Sequence, residues 1–163
     1  MEQNKDNFKN KLFFGQEGEK DISLRLIEKG FYILPLYQFK DEIAPQIIGI
    51  KQTIISPDLI CFKNGKVIFF EVKSKNKWVD YKGILETGCN YKHYEHYKKL
   101  ALQTKIKLYI VFNHVSGEKQ MRSWEKRNII DVLKDGRYWD GKVKNKQIYK
   151  PEYFWKKQQL TKL

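Results

Sequence analysis

Asp58, Glu71 and Lys73 are the residues whose types and spacing could do chemistry. Two β-rich runs, Asp58 to Phe62 and Val67 to Lys73, flank Lys63-Asn64-Gly65-Lys66, and Asn-Gly between such runs signals a two-residue hairpin turn. With Asn64 and Gly65 in the turn, Lys63 pairs with Lys66 and Phe62 with Val67. The same ladder carried outward sets Asp58 opposite Glu71. Directly opposed residues bring their Cβ atoms to roughly 4.5–5.5 Å on one face, and like charges there destabilise the sheet. Lys73, two residues past Glu71, shares that face. A divalent cation between the carboxylates would relieve the repulsion. Mg²⁺ is the natural candidate, a hard ion held by one or two carboxylates plus water and phosphate oxygens, and Mn²⁺ should substitute.

A fourth group belongs to an element further upstream. Gln16 to Glu28 reads as an amphipathic helix closed by Gly30. At 100° per residue Glu19 falls on the stripe of Ile22 and Leu26 that should pack on a sheet, whereas Glu17 falls nearly opposite. An acid on a core-facing stripe is costly unless it is paired or bound to metal, so Glu19 is the candidate and Glu17 a solvated residue.

The remaining elements form a frame for these four. Residues 1–11 read as a polar tail, and Phe31 to Tyr37 as a strand in which Pro35 argues for an edge or a bulge. Residues 40–53 read as irregular and Ser74 to Asn90 as a basic, aromatic loop. A helix is expected from Tyr91 to Thr104, a strand from Lys107 to Phe112, and another helix over 124–134. The order α-β-β-β-α-β predicts an α/β domain, a mixed central sheet flanked by helices, over residues 1–135. Residues 136–163 are expected to pack on that core as a basic, aromatic extension.

The chain has 163 residues, 32 Lys and Arg against 19 Asp and Glu, a net charge of +13 and a pI of about 9.6. Such a balance calls for a polyanionic partner. Nucleic acid fits better than a membrane, since no apolar run approaches the roughly 20 residues that span a bilayer, and the polar N-terminus is unlike a signal peptide. A cytoplasmic setting is expected. Cys61 and Cys89 are too few for a disulfide framework or a four-cysteine metal site, and Cys61, in an apolar run, reads as a small buried hydrophobe.

Pro57-Asp58 followed by Glu71-Val72-Lys73 resembles the PD-(D/E)XK nuclease superfamily, which includes restriction enzymes, junction resolvases and RecB-type nucleases. Gly18-Glu19, then Gly30-Phe31-Tyr32-Ile33-Leu34, resembles the opening helix and strand of its resolvase-like branches. The resemblance covers roughly residues 14–112. It implies a restriction-endonuclease-like core in which Asp58, Glu71 and the backbone carbonyl of Val72 bind metal, Glu19 reaches metal directly or through water, and Lys73 positions or activates the attacking water. It implies a possible homodimer. It also matches His93-x-x-x-Tyr97 to a Gln-x-x-x-Tyr pair of the family, with His in place of Gln, and makes His93 and Tyr97 candidates on the nucleic-acid side. Lys75, Lys77, Trp78 and Lys82 join them, because residues 73–82 carry a net +3 with aromatics interleaved. Residues 140–163 carry a further net +5.

Plainer roles exist for several of these. Asp58 could simply open a strand, and Lys73 could be a strand-end partner of Glu71. His93 and His96, at i and i+3, lack an evident third ligand, and His114 fits a loop after a strand. Tyr91, Tyr94 and Tyr97 suit core packing as well as base stacking. The reading that accounts for the convergent carboxylates is a Mg²⁺-dependent DNA endonuclease. Its rival is a non-catalytic nucleic-acid-binding protein that retains the fold.

Overall fold

The computed structural model describes residues 2–36, 46–49, 53–114, 127–144 and 147–163. A helix, α1 (Glu2–Glu28), opens the chain. It starts well before Gln16 and includes the stretch expected as a tail, which holds no proline and no glycine before Gly15. Ile22 and Leu26 are fully buried on one stripe, with Glu19 one turn earlier. The helix ends on Gly30 at φ 81°, with Phe31 N–H donating to the Leu26 carbonyl at 3.0 Å and Gly30 N–H to Ile27 at 2.8 Å. That pairing is the left-handed helix stop that glycine permits.

Strand β1 (Tyr32–Pro35) is an edge strand, where a proline is tolerated; Tyr37 lies outside the described residues. Of the stretch expected to be irregular, the described part forms an antiparallel pair, β2 (Gln46–Ile48) and β3 (Thr53–Ile55). Then β4 (Leu59–Lys63) and β5 (Lys66–Lys75) make the hairpin, turning at Asn64 (φ 50°) and Gly65 (φ 70°). Its register runs from Lys63 opposite Lys66 to Leu59 opposite Phe70, the expected ladder, and stops one step short of Asp58 and Glu71.

The stretch after Lys75 is not a loop. It folds into a second hairpin, β6 (Val79–Tyr81) and β7 (Ile84–Asn90), with Lys82 and Gly83 both at positive φ in the turn. Helix α2 (Tyr91–Thr104) follows, its first turn capped by Asn90, whose side-chain oxygen accepts from Lys92 N–H at 3.0 Å. Strand β8 (Lys107–His114) runs parallel to β5. The described part of the helix expected over 124–134 is instead a strand, β9 (Arg127–Asp131), antiparallel to β8. Asn128-Ile129-Ile130-Asp131-Val132 is a short β-branched run, and pairing with β8 outweighs its weak helical pattern.

Residues 136–163 form β10 (Arg137–Trp139), β11 (Lys142–Lys144), β12 (Gln147–Tyr149), β13 (Glu152–Lys156), a 3₁₀ turn at Lys157–Gln159 and β14 (Thr161–Lys162). The central sheet has the order β1-β4-β5-β8-β9-β14 and is mixed; a second sheet has the order β10-β13-β7-β6. Thus the C-terminal quarter gives one strand, β14, to the central sheet and two, β10 and β13, to the second. This is the α/β architecture expected, a mixed central sheet with α1 on one face and α2 on the other. On the α1 face Ile22 and Leu26 pack with Leu59, Phe70, Val72 and Val111. On the α2 face Leu100 and Ala101 pack with Phe69, Ile110 and Phe112, joined by Trp155 from β13. No described helix is long and apolar enough to cross a membrane.

Candidate active site

Side chains alternate along β5, so Glu71 and Lys73 follow Phe69 onto the α2 face, while Val72 turns to α1. Asp58 stands just before β4, and its Oδ2 accepts the Val72 N–H at 2.7 Å. That bond extends the hairpin's hold on Asp58 one step past the ladder and sets its carboxylate beside Glu71. Glu71 is only 1% exposed, and it forms an ion pair with the Lys73 ammonium, which keeps partial access to solvent. Tyr97, from α2, is buried close to Glu71. Glu19 arrives from α1, on the other face of the sheet, and is buried beside the start of β4. Helix α1 lies close to β5 at Gly18, where a Cβ would stand 2.1 Å from the Ser74 Oγ and would turn that hydroxyl aside.

The electrostatics follow from three carboxylates meeting in a place poor in water. Burial, and then the charges of Asp58 and Glu71, push the Glu19 carboxyl up to about 9. Burial and Glu71 likewise raise Asp58 well above the usual carboxylate range. Burial alone would lower Lys73, yet Glu71 and Asp58 outweigh it and hold the ammonium above its ordinary value. Burial and the nearby Lys73 charge lower His93.

The donor set suits a divalent cation. Among the described residues, Oε2 of Glu19 and Oε2 of Glu71 are buried without a hydrogen-bond partner. Buried carboxyl oxygens are normally satisfied, and a cation would satisfy these and favour their deprotonated forms. Among the described residues no three His, Cys, Asp or Glu side chains close into a ready-made metal cage. A hard ion that takes one or two carboxylates, with water and phosphate oxygens completing its shell, does not require one.

The residues expected to face nucleic acid separate into two groups. Lys77 and Lys82 are exposed, Lys82 at the β6–β7 turn with its ammonium 5.5 Å from the Tyr81 ring centre. Lys75, Trp78 and His93 are half-buried close to the site. Tyr97, in contrast, is 1% exposed and packs in the core close to Glu71, so it offers no face to nucleic acid. His114 carries more than a loop position. It ends β8 on the same face as Ile110 and Phe112, is buried, and stacks on Trp78 with ring centres 3.9 Å apart and planes 10° apart. The Lys157 ammonium lies 5.4 Å from the Trp78 ring centre. Burial, then Lys75 and Lys157, lower His114 to about 4. Period-two counting along β8 could have placed His114 on this face; the contact with Trp78 links two distant elements and leaves no local signal.

No family model matches the chain, and no curated protein matches it in sequence. Its structure is similar to that of Hjc, a Holliday junction resolvase from the archaeal hyperthermophile Archaeoglobus fulgidus. The two share 12% identity over 88% of this chain and 89% of that one, with a TM-score of 0.52. At that identity the likeness establishes the fold alone, and it is the fold of a resolvase.

Proposed function

We propose that this chain is a divalent-metal-dependent nuclease that hydrolyses phosphodiester bonds in DNA. The observation that carries the proposal is the meeting of Glu19, Asp58 and Glu71 beside Lys73, with buried carboxylate oxygens that lack partners among the described residues. Purely structural carboxylates would not be held together at that electrostatic cost. The similarity to a structure named as a Holliday junction resolvase favours DNA as the substrate, and the net charge of +13 suits a polyanion.

In this reading Asp58, Glu71 and the Val72 carbonyl hold one or two Mg²⁺ ions, and Glu19 completes or steadies the shell. The chemistry the ion supplies there is Lewis-acid polarisation of the phosphodiester and acidification of water. Asp58 is aimed by the Val72 N–H, and Glu71 by its ion pair with Lys73. Lys73 keeps its proton at working pH; its ammonium orients the attacking water and stabilises charge that develops on the phosphate. Lys75, Lys77 and Lys82, which follow Lys73 in the chain, contact phosphates.

A metal-dependent nicking assay on linear duplex, single strand, flap and four-way junction tests the proposal. Lys73→Ala should abolish cleavage and leave DNA affinity within a few-fold, because one of many lysines contributes little to a spread electrostatic footprint. Affinity that collapses together with activity would make Lys73 an anchor. Wild type that binds DNA yet cuts none of the four with Mg²⁺ or Mn²⁺ would leave the non-catalytic rival standing.

A further inference from the structure

The β11–β12 ribbon projects from the second sheet. Val143 pairs directly with Ile148, both on one face, and they are 69% and 75% exposed. Residues 141–151 contain four lysines, at 142, 144, 146 and 150, and no acidic residue. An isolated two-stranded ribbon is marginal in water, and nothing in this chain's described core covers the apolar pair. A ribbon that needed lysines only to stay soluble would not also expose a matched Val–Ile pair.

The base of the ribbon lies next to the candidate active site. It continues the β10–β13 pair beyond Trp139 and Glu152, which are partners in register. Gly141, at φ 79°, turns the chain there, in a place where a Cβ would stand 2.3 Å from the Tyr149 carbonyl oxygen. The Pro151 carbonyl accepts from the Tyr91 N–H, at the start of α2, at 2.9 Å. Glu152, at the ribbon's base, pairs with Asn90, the cap of that helix, and lies near enough to Lys75 to act on its charge. The base of the ribbon is therefore fixed to the start of α2, the helix that carries His93 and Tyr97.

We propose that the β11–β12 ribbon is a nucleic-acid-binding arm that enters the major groove of duplex flanking the cut. A two-stranded ribbon fits that groove, about 12 Å wide, where apolar side chains meet thymine methyl groups. The lysines take the phosphates on either side. The arm rests on the nuclease reading, since it presupposes duplex at the site, but it assigns a surface which that reading does not require.

The test is duplex affinity against NaCl concentration, measured in EDTA so that nothing is cut. One variant replaces Lys142, Lys144, Lys146 and Lys150 with alanine. A control replaces four exposed lysines away from the ribbon, Lys29, Lys66, Lys99 and Lys107, and so loses the same charge. Each phosphate contact contributes about 0.9 to the slope of log K on log salt. The arm variant should reduce that slope by about 3 to 4 and the control by less than about 1. Val143→Ser with Ile148→Ser should weaken duplex binding several-fold at an unchanged slope. Equal losses in arm variant and control overturn the arm and leave the nuclease reading intact. Wild type that binds no duplex overturns both. Binding to vesicles of anionic phospholipid that is lost with the arm lysines, while duplex binding persists, assigns the ribbon to a membrane surface and overturns the proposal.

Discussion

Glu19 and Lys73 approach the same carboxylates from opposite faces of the sheet, and they pull the local charge in opposite directions. Lys73 neutralises Glu71 within the chain, while Glu19 adds a third acid to a place already crowded with two. Glu19→Gln keeps the shape and removes the charge. It should slow cleavage by about a hundredfold, the size typical for loss of a group that positions metal or its ligands, and raise the metal concentration needed for half-maximal rate. Glu17→Gln should leave both nearly unchanged. Rates of the two variants across a Mn²⁺ titration decide it, and a sensitive Glu17 would put the helix phase half a turn out. These residues were legible in the sequence because short-range geometry positions them. A two-residue turn dictates a ladder, and a helix repeats every 3.6 residues, so Asp58, Glu71 and Glu19 follow by counting. Tyr97 and His114 were not, because their roles depend on contacts between elements distant in the chain: Tyr97 with Glu71, and His114 with Trp78.

Among the elements, the hairpin of β4 and β5 and the helix α2 follow from local patterns, and both occur where those patterns put them. The β6–β7 hairpin and β9 escaped, since their strands are short and take their identity from partners far along the chain. A glycine in β7 shows what such pairing demands. At Gly88 a Cβ would stand 2.3 Å from the Tyr153 carbonyl oxygen and 2.7 Å from the Phe154 ring, so β7 and β13 can approach only without a side chain there. Gly88→Ala should force these strands apart at a cost of about 1–3 kcal/mol, the usual range for overpacking. For a chain of this size that lowers Tm by roughly 2–12 °C. Scanning calorimetry measures it, and a Tm within a degree of wild type would show that the second sheet gives way freely at this point. Cys89, beside it, is buried between the sheets, so the pairing also shapes the surroundings of Lys75.

For the molecule as a whole, three carboxylates held at one end of a sheet determine how stability responds to pH and metal. Burial, then Asp58 and Glu71, push Glu19 from an ordinary 4.5 up to about 9, and burial and Glu71 raise Asp58 as well. Over that range the folded chain keeps protons that the unfolded chain has lost, so stability falls as pH rises. His114, lowered to about 4 by burial and then by Lys75 and Lys157, has the opposite slope, but only below about 6.5, its unfolded value. Cys61 and Cys89, pushed up to about 12 by burial, contribute only above 9. Between about pH 6.5 and 9 the site carboxylates therefore dominate. In EDTA, Tm should fall steadily across that window, and Glu19→Gln should remove much of the slope. Asp58→Asn should be at least as stable as wild type there, because an amide oxygen still accepts the Val72 N–H while one charge is gone. Mg²⁺ or Mn²⁺ should reverse the trend, since metal binds the deprotonated carboxylates. A ligand that binds only the folded state stabilises it by about 2.7 kcal/mol at a hundredfold excess over Kd. Asp58→Asn should lose most of that gain, and Asp80→Asn should keep it, because Asp80 caps the β6–β7 turn through Gly83 N–H at 2.9 Å, away from the site. Calorimetry at several pH values, with and without metal, separates the cases. If Asp58→Asn costs the metal-free protein about 2 kcal/mol or more, the size of a lost buried partner, and still gains from metal as wild type does, Asp58 is a strut for β5 and the ion binds elsewhere.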